Sequence, residues 1–180
     1  EPTAFAARLP TELLEPDLLR AGMRQISLLG LLVVVACGAP ATPATANFPA
    51  AVGAAGGTLK DEVLGVTLEI PAGALTSSVT FDVEPMDDEV TLAPGSSFVG
   101  SGFRFSPSGQ TFAKPVKVTL PASQSKLDDF GVTIDSCLMW VRQASGSFSQ
   151  QPAVAHTETT VTSETTVLIE AAVGAKFQYT

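Results

Sequence analysis

Cysteine is almost missing from this chain. Two occur in 180 residues, Cys37 and Cys137. They could form one disulfide at most, and no C-x-x-C spacing offers a zinc or dithiol centre. Histidine is scarcer: His156 stands alone. It lies in a Gln/Ala/Thr-rich stretch, with no G-x-S-x-G motif to supply a nucleophile, and reads as an exposed loop residue. Charge is thin at 16%, and acids outnumber bases 18 to 10. That balance does not suit a phosphate backbone, so no nucleic-acid partner is expected. Long hydrophobic runs are lacking too. The uncharged stretch from Ile26 to Ala36 covers 11 residues, where a membrane span needs about 20. What is present is an apolar fraction of 45% with ten Phe, which suits one packed domain with little room for a second.

The N-terminal quarter reads as an address. Residues 1–22 form an extension that opens on Glu1, and its Thr11–Arg20 stretch has helical character broken by Pro16. Met23 is a candidate start. Residues 23–36 then show the order of a secretory signal: a basic flank at Arg20 and Arg24, the apolar run, and small residues at the end. Val34-Val35-Ala36-Cys37-Gly38 resembles a bacterial lipobox, with Val34 where Leu is usual. The resemblance implies cleavage between Ala36 and Cys37, acylation of Cys37, and membrane lipid as a partner, since several acyl chains make a stable anchor. It also implies an extracytoplasmic, envelope-bound protein. Gly38, in place of an Asp at that position, leans towards the outer membrane. Residues 37–55 follow as the lipidated Cys and a flexible tether, uncharged and stiffened by Pro40, Pro43 and Pro49.

From Gly56 the pattern becomes that of strands. Val66, Leu68 and Ile70 alternate with polar residues, as do Val79, Phe81 and Val83, and then Val116, Val118 and Leu120. Gly100 and Gly102 interrupt the run from Val99 to Phe105, which predicts a bulge or a close backbone approach. Val132–Val141 has apolar residues on both parities, so both faces are expected to be buried. The Thr-rich 157–166 tract suits an edge hairpin. Turn residues punctuate these runs at Pro71, Pro94, Pro107 and Pro121. With no convincing amphipathic helix, the expectation for 56–175 is all-β: an antiparallel sandwich or partly open barrel of about eight to ten strands.

Two motifs carry a resemblance. Gly56-Gly-x-Leu with Gly65-Val-x-Leu-x-Ile-Pro-x-Gly-Ala-Leu75, and Pro107-x-Gly-x-x-Phe112-x-x-Pro-Val-x-Val-x-Leu-Pro121, resemble the two signatures of a ZU-five domain. This is the β module of zonula occludens proteins, netrin receptors and ankyrins. Trp140 and the Thr/Val-rich 157–173 would supply the closing strands. The resemblance implies a non-catalytic interaction or structural module with a protein or envelope partner and no cofactor. Some relatives self-cleave at a His-Phe-Ser site; here Ser147-Phe148-Ser149 lacks the His.

The remaining polar residues offer little chemistry. Asp87-Asp88-Glu89 is the densest acid cluster, but lacks the alternating acids and Gly of a calcium loop. Asp128-Asp129 reads as a polar loop. Glu69 and Asp82 sit on the outward parity of their strands and are candidates to pair with Lys117. With Cys37 acylated, Cys137 is a small buried hydrophobe; with Cys37 free, a 37–137 disulfide is conceivable. No catalytic or metal-binding residue is assigned. The principal expectation is a lipid-anchored binding module. The alternatives are a calcium-dependent adhesin-like module and a small hydrolase using His156.

Overall fold

A computed structural model describes residues 44–86, 92 and 94–176. Residues 1–22, the signal segment 23–36, Cys37 and Asp87–Glu89 therefore lie outside the described residues. Twelve strands occur among those described: β1 (Ala44–Asn47), β2 (Ala50–Val52), β3 (Gly57–Asp61), β4 (Val66–Ile70), β5 (Val79–Pro85), β6 (Ser96–Ser106), β7 (Gln110–Pro121), β8 (Cys137–Arg142), β9 (Phe148–Gln151), β10 (Ala153–His156), β11 (Thr160–Leu168) and β12 (Glu170–Lys176). One short helix, Gln124–Phe130, links β7 to β8.

These strands form two six-stranded sheets. Sheet 1 has the order β1-β3-β4-β7-β11-β10, and sheet 2 the order β2-β5-β6-β12-β8-β9. The fold is a β-sandwich, and no barrel closes. The alternating residues explain why. Val66, Leu68, Ile70, Val116, Val118 and Leu120 from sheet 1 are buried against Phe81, Val83, Phe103 and Phe105 from sheet 2. Each large side chain withdrawn from water in this way stabilises the fold by about 2–3 kcal/mol before entropy is subtracted. Phe112 of β7 stacks on Phe81 of β5 with centroids 5.9 Å apart, joining the sheets through aromatic contact.

Two stretches expected within the tether, 44–47 and 50–52, are strands. Ala44–Asn47 pairs in parallel with β3, and Ala50–Val52 pairs antiparallel with β5. The segment therefore contributes an edge strand to each sheet, reversing at Phe48–Pro49, where the Phe48 N–H donates to the Lys60 carbonyl. Its small uncharged residues lack a strand signature of their own. Pairing to strands already ordered by the core supplies what their local preference does not. Residues 148–156 close the other side: β9 edges sheet 2, and after Pro152 the chain continues as β10, the edge of sheet 1. Strands that pass between sheets in this way shield the sandwich sides.

One further expectation is adjusted and one holds. The Thr-rich β11 is an inner strand between β7 and β10, so only its hairpin partner β10 is at the edge. The bulge near Gly100 is present: pairing slips between Ala172↔Gly102 and Gly174↔Phe98.

The strands alternate in direction, so the connections sort to two ends. Where β1 begins lie 53–56, 71–78, 107–109, 143–147 and Ile169. At the opposite end lie 48–49, 62–65, 86, 94–95, 122–136 and 157–159. At the first end the two motif stretches interlock. Gly73 N–H donates to the Ala54 carbonyl at 2.8 Å, Ala113 N–H to the Ala74 carbonyl at 2.9 Å, and Lys114 Nζ to the Ala72 carbonyl at 2.6 Å.

Candidate functional site

The outer face of sheet 1 is polar because the outward parity of β3, β4, β7 and β11 holds Thr, Lys and Glu. Registration sets them in rows. Thr58 is opposite Glu69, Glu69 opposite Lys117, and Lys117 opposite Glu164. One row further on, Thr119 and Thr162 join hydroxyl to hydroxyl at 2.8 Å. Thr58, Glu69, Lys117 and Glu164 line an open cleft of about 560 Å³, together with Ile70, Pro71, Ala72 and Pro115. A central cation between two exposed acids contributes at most about a kcal/mol per pair to stability. Its charges stay available to an incoming ligand. The proline-lined floor is rigid and apolar, and the lining holds no His, Cys or Ser. This arrangement suits recognition of a polypeptide surface.

The outer face of sheet 2 is organised differently. Glu170, at the start of β12, is buried and receives Arg104 Nε at 3.0 Å and Arg142 Nη1 at 2.8 Å. Burial alone would raise the Glu170 carboxyl. Hydrogen bonds from Arg142 and Arg104, reinforced by their charges, outweigh burial and hold it below its ordinary range. Beside this triad, Trp140 is also buried, and its indole N–H has no acceptor. Phe98 and Phe148, from strands on either side of the β12–β8 pair, meet edge-on with centroids 6.1 Å apart. This face is structural: its charges are spent on one another.

The sequence-predicted residues are dispersed. Glu69 and Lys117 come together as expected, but Asp82 belongs to β5 in sheet 2, opposite Ser106, and has no access to Lys117. Strand parity fixes the face a side chain takes, not the sheet that holds it. Glu164 was not singled out from sequence, although its place in the alternating Thr/Ser/Glu run of β11 marks it as outward-facing. His156 corrects the loop expectation. It is half-buried on β10, with Nε2 3.1 Å from the Cys137 carbonyl, and it does not line the cleft. Cys137 is a free, fully buried cysteine. Burial first, then the charge of Asp135, pushes its thiol up. Asp128 and Asp129 are exposed on the short helix instead of in a loop. Among the described residues, no cluster of His, Cys, Asp or Glu is placed to hold a metal ion, and no helix is long and apolar enough to cross a membrane.

Residues 49–134 match the family model of the ZU5 domain. ZU5 domains are non-enzymatic and mediate protein–protein interactions. The match begins at Pro49, within the segment that supplies β1 and β2, and ends at Ile134, before β8. No curated protein matches the chain.

Proposed function

We propose that this protein is a secreted, lipid-anchored binding module that presents a ZU5 sandwich from the bacterial cell envelope to a protein partner. The carrying observation is the exposed Glu69–Lys117–Glu164 row in a cleft of a domain whose family mediates protein contacts. Charged groups held open on a rigid sheet steer encounter and set register, while the Pro71, Ala72 and Pro115 surface offers apolar contact. The anchor is supported by the order of residues 23–37: basic flank, apolar run, small residues, then Cys37. On this reading the signal is cut after Ala36 and Cys37 is acylated, with Gly38 favouring the outer membrane.

Mass spectrometry of the membrane-extracted protein tests the anchor. An N-terminal peptide beginning at Cys37 and carrying acyl chains is expected. An unmodified Cys37, or a retained signal, contradicts the reading. The cleft is tested separately with a photocrosslinking residue in place of Thr58. Crosslinks to a protein that disappear with Lys117→Glu are expected; crosslinks indifferent to that change place the interface elsewhere.

A further inference from the structure

We infer that the cleft on sheet 1 receives a helix of the protein partner, lying across the strands and presenting a cation, an acid and a cation at positions i, i+3 and i+7. The inference deepens the cleft reading proposed above and rests on it.

The first argument is one of unspent charge. Glu69, Lys117 and Glu164 are exposed and stand directly opposite one another on β4, β7 and β11. Among the described residues, none of the three makes a hydrogen bond or an ion pair. On sheet 2 the alternation of Arg104, Glu170 and Arg142 is closed by contacts of 3.0 and 2.8 Å. Sheet 1 instead holds out an acid, a cation and an acid in line. A partner that offers the reverse order meets three favourable pairs. Any other order of the same three charges brings like charges together, which is how such a row discriminates.

The second argument is one of spacing. Residues directly opposite in an antiparallel sheet stand about 5 Å apart, so the third charge of the row lies about 10 Å from the first. On a helix, side chains at i, i+3 and i+7 share a face, and the second and third lie about 4.5 and 10.5 Å along the axis from the first. In an extended strand, side chains on one face recur about every 6.7 Å, and the third would overshoot by about 3 Å. The cleft itself runs across the strands, from Thr58 on β3 to Glu164 on β11. Pairing of β4 with β7 ends at Glu69–Lys117, and just beyond it Pro71, Ala72 and Pro115 line the cleft. Prolines have no N–H, so a strand entering between β4 and β7 would find no donor at either of them. The apolar side of a helix finds a surface to cover.

The test measures binding of end-capped synthetic helices to the full chain by fluorescence anisotropy at low ionic strength. One helix carries Lys-Glu-Lys at i, i+3 and i+7; the other carries the same residues as Lys-Lys-Glu. The wild type should bind the first several-fold more tightly. Lys117→Glu combined with Glu164→Lys leaves the net charge unchanged and should reverse the preference. Asp128→Asn with Asp129→Asn, on the short helix outside the cleft, should leave it as in the wild type. An extended peptide with Lys-Glu-Lys on one face should bind more weakly than the matching helix. Equal binding of the two helices, a preference that survives the charge exchange or is lost with the Asn changes, or tighter binding of the extended peptide overturns the inference. The Thr58 crosslink reads the use of the cleft separately. Crosslinks indifferent to Lys117→Glu remove the cleft as the interface even where the helices bind as expected. Charge-indifferent helices overturn the helical partner even where the crosslink depends on Lys117.

Discussion

Trp140 lies hard against Gly174 on the outer face of sheet 2: a Cβ added at position 174 would stand 2.7 Å from the indole Nε1 and 3.1 Å from the Ser97 carbonyl. The indole is held between paired strands with no hydrogen-bond acceptor, so its placement depends on the empty space above Gly174. Gly174→Ala is expected to destabilise the domain by about 1–3 kcal/mol through overpacking. At Gly102 the nearest atom is the Met86 sulfur at 3.0 Å, the end of a flexible side chain. Gly102→Ala should therefore cost less. Urea unfolding of both variants checks the order.

Gly56 is the stricter case. Its φ of +74° already favours glycine, and an added Cβ would clash with the Ile70 carbonyl and stand 2.7 Å from the Ala72 nitrogen. Both are backbone atoms and have nowhere to go. Gly56→Ala should exceed the cost of Gly174→Ala, at roughly 3 kcal/mol or more. A loss of soluble folded protein, followed by circular dichroism, is the expected result.

These two glycines mark what was legible in the sequence and what was not. Gly56 opens the Gly-Gly-x-Leu motif that marks the start of the patterned strands, and Val66/Leu68/Ile70 and Val116/Val118/Leu120 are buried as their alternation requires. Gly174 lies in a run of small residues with no visible pattern, because its role is set by Trp140 on the neighbouring strand β8. The same reason hid Ala44–Val52: a strand of three or four small residues owes its conformation to its neighbours. The short helix escaped because only Leu127 is buried, too little for an amphipathic period. Of the cleft, the Glu69–Lys117 half was visible from parity. Its third member required knowing that β11 pairs with β7.

Glu170 should give the domain a pH dependence. Its folded carboxyl titrates below the usual range. The stability it contributes is therefore complete above the unfolded carboxylate pKa, about 4.3, and is lost as the pH falls through the lower folded value. Glu170→Gln should weaken the domain at neutral pH by about 1–2 kcal/mol, less than a fully buried pair because both arginine heads are partly exposed. In acid the difference from the wild type should narrow. Denaturant midpoints across the acid range check the sign.

Cys137 should resist modification while the domain is folded. It is fully buried, and burial with the Asp135 charge raises its thiol. Alkylation by iodoacetamide near neutral pH should be negligible in buffer and complete in urea. Rapid labelling of the native protein would show that β8 opens readily.

Acylation of Cys37 tests the central claim most directly. Cells fed a clickable fatty acid should incorporate the label into the wild-type protein, and Cys37→Ser should abolish it while leaving the chain expressed. Equal labelling of both, or no labelling of the wild type, would contradict the lipid-anchored reading.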